Sequence, residues 1–185
     1  MHTEIEAKLK VDSPQEVERK LGEAGAEFIG EQLQVDTYFD NGEAALKNSD
    51  RALRLRQHRM GQKGKTFLTY KGPKQKDDFK KRQEIEIEVA DGDSAGELIL
   101  ALGYEKALVF EKRRKIWKLD DCVVCLDELP LLGSFVEIEG PDGERIADVQ
   151  KNLGMSDLPH IVESYACLMQ KKLDQLGKDQ RQVLL

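Results

Sequence analysis

The sequence lacks the features that mark several protein classes. It has no apolar run long enough to cross a membrane, and its first strand candidate begins almost at Met1, so we expect neither a membrane span nor a signal peptide. Its three cysteines do not form an even disulfide framework, which favours a reducing, cytoplasmic location. The net charge is −6, and the lack of a basic excess argues against nucleic-acid binding.

Charge of both signs is nevertheless abundant. Asp, Glu, Lys and Arg make up 35% of the 185 residues, and 39% of the residues are apolar. This composition suits one domain with a substantial core, for which we expect the bounds 1–176. Residues 177–185 are predicted to form a frayed C-terminal tail.

Residues 3–9 show a pattern that recurs along the chain. Glu4, Glu6 and Lys8 alternate there with aliphatic residues, and a period of two places them on one face of a strand. The same alternation recurs in later segments with Arg54 and Arg56, Thr69 and Lys71, Arg82, Glu84 and Glu86, Lys112 and Arg114, and Glu137 and Glu139. Like charges two residues apart do not help a plain surface strand, where Thr or Tyr would serve better.

Helices are predicted between these strands. Ser13 and Pro14 begin one of them, because Ser is a good N-cap and Pro suits the first helical turn. The expected order is a helix ending near 22–25, strands at 31–40, 51–59 and 65–71, a polar loop at 72–81, a strand at 82–89, a helix at 94–102, strands at 108–119, 123–127 and 134–139, and helices near 144–153 and 163–176. The two halves repeat this order, which is compatible with an internal duplication.

The amphipathic helices determine where the charged faces point. Their apolar stripes need a partner, and the aliphatic strand faces are the only large one. If the helices cover those faces from outside, the charged faces meet inside a closed or nearly closed sheet. Arginine and lysine there could hold a polyanion, and the carboxylates could hold metal ions. The alternative is an ordinary antiparallel sheet with one solvated polar face.

Taken together, these residues resemble the signature of the CYTH superfamily, the triphosphate tunnel metalloenzymes. The resemblance begins with Glu4-x-Glu6-x-Lys8 and extends to about Leu168. The further matching segments follow in order at 53–56, 69–73, 82–86, 111–114, 126–128, 132–139 and 164–168.

The resemblance implies a fold and a set of site residues. The fold is a closed eight-stranded antiparallel β-barrel of the α+β class, with a charged interior and helices packed outside, and the cofactor is Mg²⁺ or Mn²⁺. The triphosphate would be contacted by Lys8, Arg54, Arg56, Lys71, Arg82, Lys112 and Arg114. The metal ligands would be Glu4, Glu6, Glu137 and Glu139, with Glu84, Glu86 and Asp127 supporting them. Lys8 and Asp127 are the residues assigned to catalysis.

Within the superfamily, the chain length and the Ser164-Tyr165-x-x-Leu168 ending most resemble class IV adenylyl cyclases. That activity converts ATP to cyclic AMP and pyrophosphate. The alternatives are an inorganic triphosphatase and a non-catalytic module that binds polyphosphate or a nucleotide, although a full acidic set argues against pure binding. Members of the cyclase group often have Arg where this chain has Glu163. A homodimer is a further expectation, while the base specificity, the preferred metal and the role of the 72–81 loop stay open.

Overall fold

The structure, a computed structural model, describes residues 2–60, 63–75, 80–178 and 180–185. Its strands are β1 (His2–Val11), β2 (Glu27–Asp40), β3 (Ala52–Met60), β4 (Lys63–Gln75), β5 (Lys80–Val89), β6 (Glu105–Leu119), β7 (Cys122–Leu129), β8 (Gly133–Glu139) and β9 (Gln182–Val183). Its helices are α1 (Pro14–Glu23), α2 (Ala45–Asn48), α3 (Gly92–Ala101), α4 (Gly143–Asn152) and α5 (Tyr165–Gln175).

Eight of the strands form a closed antiparallel barrel. Neighbouring strands are hydrogen-bonded in the order β2-β3-β4-β5-β1-β8-β7-β6, and β6 pairs with β2 to close the ring. Strand β1 is shared between the two halves of the chain, since Glu4 lies opposite Arg82 on β5 and Lys8 lies opposite Glu137 on β8. The predicted α+β barrel is therefore confirmed.

The alternation along the strands directs charge inward and aliphatic side chains outward. On β1, Leu9 packs in the main apolar cluster, whereas Lys8 beside it faces the interior with only 1% of its surface exposed. On β3, Arg54 is 6% exposed between partly buried Leu53 and buried Leu55. A sheet with a solvated polar face would leave such side chains in water, so the open-sheet alternative is wrong.

The helices begin where side chains cap them, and they cover the aliphatic outer faces. Ser13 Oγ accepts the backbone N–H of Glu16, and Ser164 Oγ accepts that of Cys167. Leu21 of α1 has no exposed surface in the cluster that α1 and α4 share with β1, β7 and β8. Burying one such leucine contributes roughly 1.5–3 kcal/mol to folding.

Three segments differ from the sequence-based expectations. The expected polar loop at 72–81 is shorter, because β4 continues to Gln75 and β5 begins at Lys80; residues 76–79 lie outside the described residues. The expected frayed tail is wrong in part, since β9 pairs in parallel with β6 at Val109 and Phe110, and Val183 is buried. This part of β6 can pair with β9 because β7 pairs only with residues 113–119 of β6. The short helix α2 was not predicted.

No helix within the described residues combines the length and the apolar character needed to cross a membrane.

Candidate active site

A cavity of about 750 Å³ extends into the barrel. The predicted phosphate-binding residues all line it, namely Lys8, Arg54, Arg56, Lys71, Arg82, Lys112 and Arg114. So do the predicted metal ligands and their supporting carboxylates, Glu4, Glu6, Glu84, Glu86, Glu137 and Glu139. The tertiary fold thus brings side chains from six strands into one space. Asp127, the remaining predicted site residue, is not among the lining residues.

Arg54 has a hydrogen-bond donor that is left unpaired by the described residues. Its Nη2 donates to Thr69 Oγ1 at 3.1 Å and to Glu86 Oε2 at 3.4 Å. Its Nε is buried and makes no hydrogen bond within the described part of the chain. A buried donor without an acceptor costs about 1–3 kcal/mol. An anion bound in the cavity would supply that acceptor.

Lys71 and Arg82 lie at the adjoining ends of β4 and β5. Lys71 Nζ forms ion pairs with Glu84 and, at 3.5 Å, with Glu4 Oε2. Arg82 donates from Nε to the carbonyl oxygen of Gly72 at 2.8 Å and from Nη2 to that of Asp50 at 2.8 Å. These two carbonyl partners are uncharged, so they orient Arg82 on the cavity wall without neutralising it.

Two further basic side chains of the cavity, Arg114 and Lys112, lie on β6. Arg114 donates from Nε to Asp127 Oδ1 at 2.6 Å, and its Nη2 contacts both Asp127 and Glu137. Lys112 Nζ lies 3.2 Å from Asp127 Oδ2. Burial, helped by the charge of Arg114, lowers the pKa of Lys112 to about 8 although Asp127 opposes the shift. Asp127 is itself fully buried, so its carboxylate holds the two bases from behind the cavity wall.

Lys8 is held by partners from three elements. Its Nζ lies 3.2 Å from Glu137 Oε1 and 3.7 Å from Glu6 Oε1. It also donates to the main-chain oxygen of Glu163 at 2.9 Å, and it lies 4.2 Å from the ring centroid of Tyr165. The segment before α5 therefore reaches into the barrel and touches a predicted catalytic residue.

The predicted metal ligands form a cluster of like charges. Burial raises the pKa of Glu139 to about 7, and the carboxylates of Glu4, Glu6 and Glu137 add to the shift. Glu4 Oε2 is buried and accepts no hydrogen bond from the described residues, and its ion-pair partner Lys71 Nζ lies 3.5 Å away. Both observations fit a site for a divalent cation.

The carboxylates are not already arranged around such a cation. Among the described residues, no group of three or more His, Cys, Asp or Glu side chains is positioned to hold a metal ion. Mg²⁺ is usually held by one or two carboxylates together with substrate phosphates and water, so a site completed by the triphosphate suits this geometry.

Sequence reasoning missed several residues of the interior. Asp36 lies inside the barrel and pairs with Arg56 through Arg56 Nε, 2.6 Å from Asp36 Oδ1. The sequence contains a pattern that indicates Asp36, because Gln32, Gln34 and Asp36 repeat on β2 the alternation seen on other strands. Tyr165 lies on no alternating strand, and only the Ser164-Tyr165-x-x-Leu168 motif marked it, without a role, since it enters the barrel through the docking of α5.

One wall of the cavity is rich in apolar side chains, although the same region also contributes charged ones such as Lys47 and Arg51. It is formed where β2 ends and β3 and β6 begin, together with α2 and the first turn of α5. Its residues include Tyr38, Leu46, Ala52, Leu108 and Ala166.

The short helix α2 is fixed to this wall by one carboxylate. Asp40 Oδ1 accepts the backbone N–H of Leu46 at 2.9 Å, and Asp40 Oδ2 accepts that of Lys47 at 2.9 Å. This anchoring places Leu46 beside the charged interior.

Comparison with known proteins identifies relatives over most of the chain. The family described as the CYTH domain matches residues 2–165. A Methanocaldococcus jannaschii protein, named provisionally as an adenylate cyclase, is 31% identical over 162 residues, which are 87% of this chain and 88% of that protein. An adenylate cyclase of Aeromonas hydrophila is 27% identical over 155 residues, 79% of this chain and 77% of that one. A solved structure from Pyrococcus horikoshii has a TM-score of 0.79 at 31% identity, covering 91% of this chain and 99% of that one.

Proposed function

Because the chain belongs to the CYTH domain family, we propose that it is a divalent-metal-dependent enzyme acting on a triphosphate, and specifically an adenylyl cyclase of class IV. Proteins of this family act on triphosphates with the help of divalent metals. The names of the Methanocaldococcus and Aeromonas relatives support the cyclase activity.

One observation carries the choice of a nucleotide as substrate. The same cavity joins an interior of converging bases and carboxylates to a wall that carries several apolar side chains among charged ones. Its volume of about 750 Å³ lies within the roughly 300–1,000 Å³ typical of sites for drug-sized ligands. The charged interior would take the triphosphate, including an acceptor for Arg54 Nε, and the wall near Leu46 and Leu108 would take the nucleoside.

The protein's own side chains would perform most of the chemistry by binding and positioning. In the cyclase reaction the ribose 3′-oxygen bonds to the α-phosphorus, the bond from that phosphorus to the bridging oxygen breaks, and pyrophosphate leaves with the proton that the 3′-hydroxyl gives up. Arg54, Lys71 and Lys8 would neutralise the charge that grows on the leaving group, which is the main requirement of phosphoryl transfer. Asp127 would keep Lys112 and Arg114 in place.

The metal site would use the carboxylate cluster. A bound Mg²⁺ or Mn²⁺ would be held by Glu4, Glu6, Glu137 and Glu139, with Glu84 and Glu86 in support, and would supply charge neutralisation at the phosphate oxygens.

An inorganic triphosphatase is the second candidate. The charged interior alone would bind tripolyphosphate, because its basic side chains converge on one cavity. Here the oxygen of water bonds to a terminal phosphorus, the bond from that phosphorus to the bridging oxygen breaks, and orthophosphate and diphosphate each carry away one of the water protons. The non-catalytic alternative is disfavoured, because carboxylates in the cavity weaken the binding of a polyanion.

Product analysis separates these functions. Purified protein is incubated with ATP or tripolyphosphate and Mn²⁺ or Mg²⁺, and the products are resolved, with Glu137→Gln as the inactive control. The cyclase releases cyclic AMP and pyrophosphate in equal amounts. Release of orthophosphate, with tripolyphosphate hydrolysed faster than ATP, would replace the cyclase by the triphosphatase. Binding of both compounds without turnover would leave only the non-catalytic module.

A further inference from the structure

Tyr165 begins α5 but lies inside the barrel with 6% of its surface exposed. Its ring centroid is 4.2 Å from Lys8 Nζ and 5.0 Å from Lys112 Nζ. Its ring also meets Phe135 edge to face, with centroids 5.2 Å apart and planes at 72°. One aromatic ring therefore contacts two of the predicted phosphate-binding lysines, which come from strands β1 and β6.

The chemistry of this contact suits an anion site. A ring face attracts an ammonium group through its quadrupole without adding a negative charge. Lys8 and Lys112 already pair with Glu137 and Asp127, so a further carboxylate in place of the ring would cancel more of their charge and repel phosphate. The main-chain oxygen of Glu163, 2.9 Å from Lys8 Nζ, is likewise a neutral partner. Both contacts from the start of α5 therefore orient a lysine and preserve its charge.

The start of α5 is held firmly enough to act this way. Ser164 caps the helix, and Met169 and Leu173 have no exposed surface where α5 packs against the barrel. The Glu163 side chain turns along the helix to Lys171, with Oε1 2.9 Å from Nζ. The contact with Lys8 uses the main chain of Glu163, so it does not depend on which side chain stands at that position.

We propose that Tyr165 is a positioning residue of the triphosphate site, whose ring holds the ammonium groups of Lys8 and Lys112 where the anion binds. The inference rests on the proposed function, since it concerns the same cavity. We assign this role to the ring because both ammonium groups lie within 5.0 Å of its centroid, whereas the buried hydroxyl interacts with Asp127.

The test compares Tyr165→Phe, which keeps the ring, with Tyr165→Leu, which removes it. The matched control is Tyr104→Leu, because Tyr104 packs in the separate cluster around α3, outside the barrel. The dissociation constant of tripolyphosphate with Mn²⁺ is measured by calorimetry, and kcat and KM are measured with ATP. If Tyr165→Leu does not fold, Tyr165→Met fills the space with a flexible apolar chain that has no ring face.

Tyr165→Leu should raise the dissociation constant and KM about 5- to 30-fold, the loss expected from weakened contacts to two cations, with a smaller change in kcat. In Tyr165→Phe the dissociation constant and KM should stay within about 2-fold of the wild-type values, because the ring is kept. Tyr104→Leu should lower the melting temperature and leave the dissociation constant unchanged.

Equal binding by Tyr165→Leu and the wild type would overturn the inference while leaving the proposed function intact. Equal damage in Tyr165→Phe and Tyr165→Leu would overturn it as well, because the hydroxyl would then be the acting group. Absence of tripolyphosphate binding by the wild type would instead reject the proposed function, and the inference with it.

Discussion

Asp36 and Arg56 form a bidentate ion pair inside the barrel. Arg56 Nε lies 2.6 Å from Asp36 Oδ1, and Arg56 Nη2 lies 2.7 Å from Asp36 Oδ2. Burial alone would raise the pKa of Asp36, yet the charge and hydrogen bonds of Arg56 lower it well below its usual value. Arg56 lines the cavity with two of its nitrogens bonded to Asp36, whereas the Nε of Arg54 makes no hydrogen bond within the described residues.

We predict that Asp36→Ala lowers the free energy of unfolding by about 3–5 kcal/mol, because it leaves the Arg56 charge buried and unpaired. Urea unfolding monitored by circular dichroism measures the change. Glu88→Ala is the control, since Glu88 pairs with Lys65 at an exposed site and its loss should cost less than about 1 kcal/mol. Similar losses in both variants would contradict the role assigned to the buried pair.

Arg54→Ala and Lys71→Ala should each weaken tripolyphosphate binding by about 2–5 kcal/mol, because each removes a buried charge that faces the anion. Lys65→Ala, on the same face of β4 six residues from Lys71, should change it by less than about 1 kcal/mol, because Lys65 is solvated. Calorimetric titration measures all three. Small and equal effects would show that Arg54 and Lys71 do not face the bound anion.

The sequence predicted the inward-facing charges because strand alternation is a local rule. Glu4, Glu6 and Lys8 face inward together since residues two apart share a strand face. The barrel was predicted because the helices need the aliphatic faces of the strands for packing, which leaves the charged faces inside. These inferences needed no knowledge of which strands are neighbours.

Features that depend on tertiary contact were not predictable in the same way. Strand β9 has two residues, and its parallel pairing with β6 exists only because that edge is vacant. Helix α2 spans four residues and is fixed by Asp40 rather than by its own pattern. Tyr165 enters the barrel through the docking of a whole helix, and Asp127 turned out to hold bases from behind the cavity wall.

Lys112 should take up a proton when the triphosphate binds. Burial lowers its pKa from 10.5 to about 8, so near pH 9 the folded free protein has largely lost this proton, and a bound polyanion should restore it. Calorimetry in two buffers of different ionisation enthalpy measures the uptake. It should disappear in Lys112→Met and persist in Lys115→Met, whose lysine faces α1 and pairs with Glu18. Undiminished uptake in Lys112→Met would contradict the assignment.

The same pKa difference sets a pH dependence of stability in the free protein. Between pH 8 and 10.5 the unfolded chain holds the Lys112 proton and the folded chain does not, so stability should rise with pH across this window. In Lys112→Met that rise should be reduced.

The central claim is that one cavity binds a triphosphate and a divalent metal together, so the most direct measurement is thermal stability with each ligand alone and with both. Like charges in the free barrel repel, and the two ligands together should pair them. At about a hundred times its dissociation constant, a ligand adds roughly 2.7 kcal/mol of apparent stability. Mn²⁺ with tripolyphosphate should raise the melting temperature more than either ligand alone. In Glu137→Gln, the part of this increase that depends on Mn²⁺ should be lost. An unchanged melting temperature with both ligands would contradict the account.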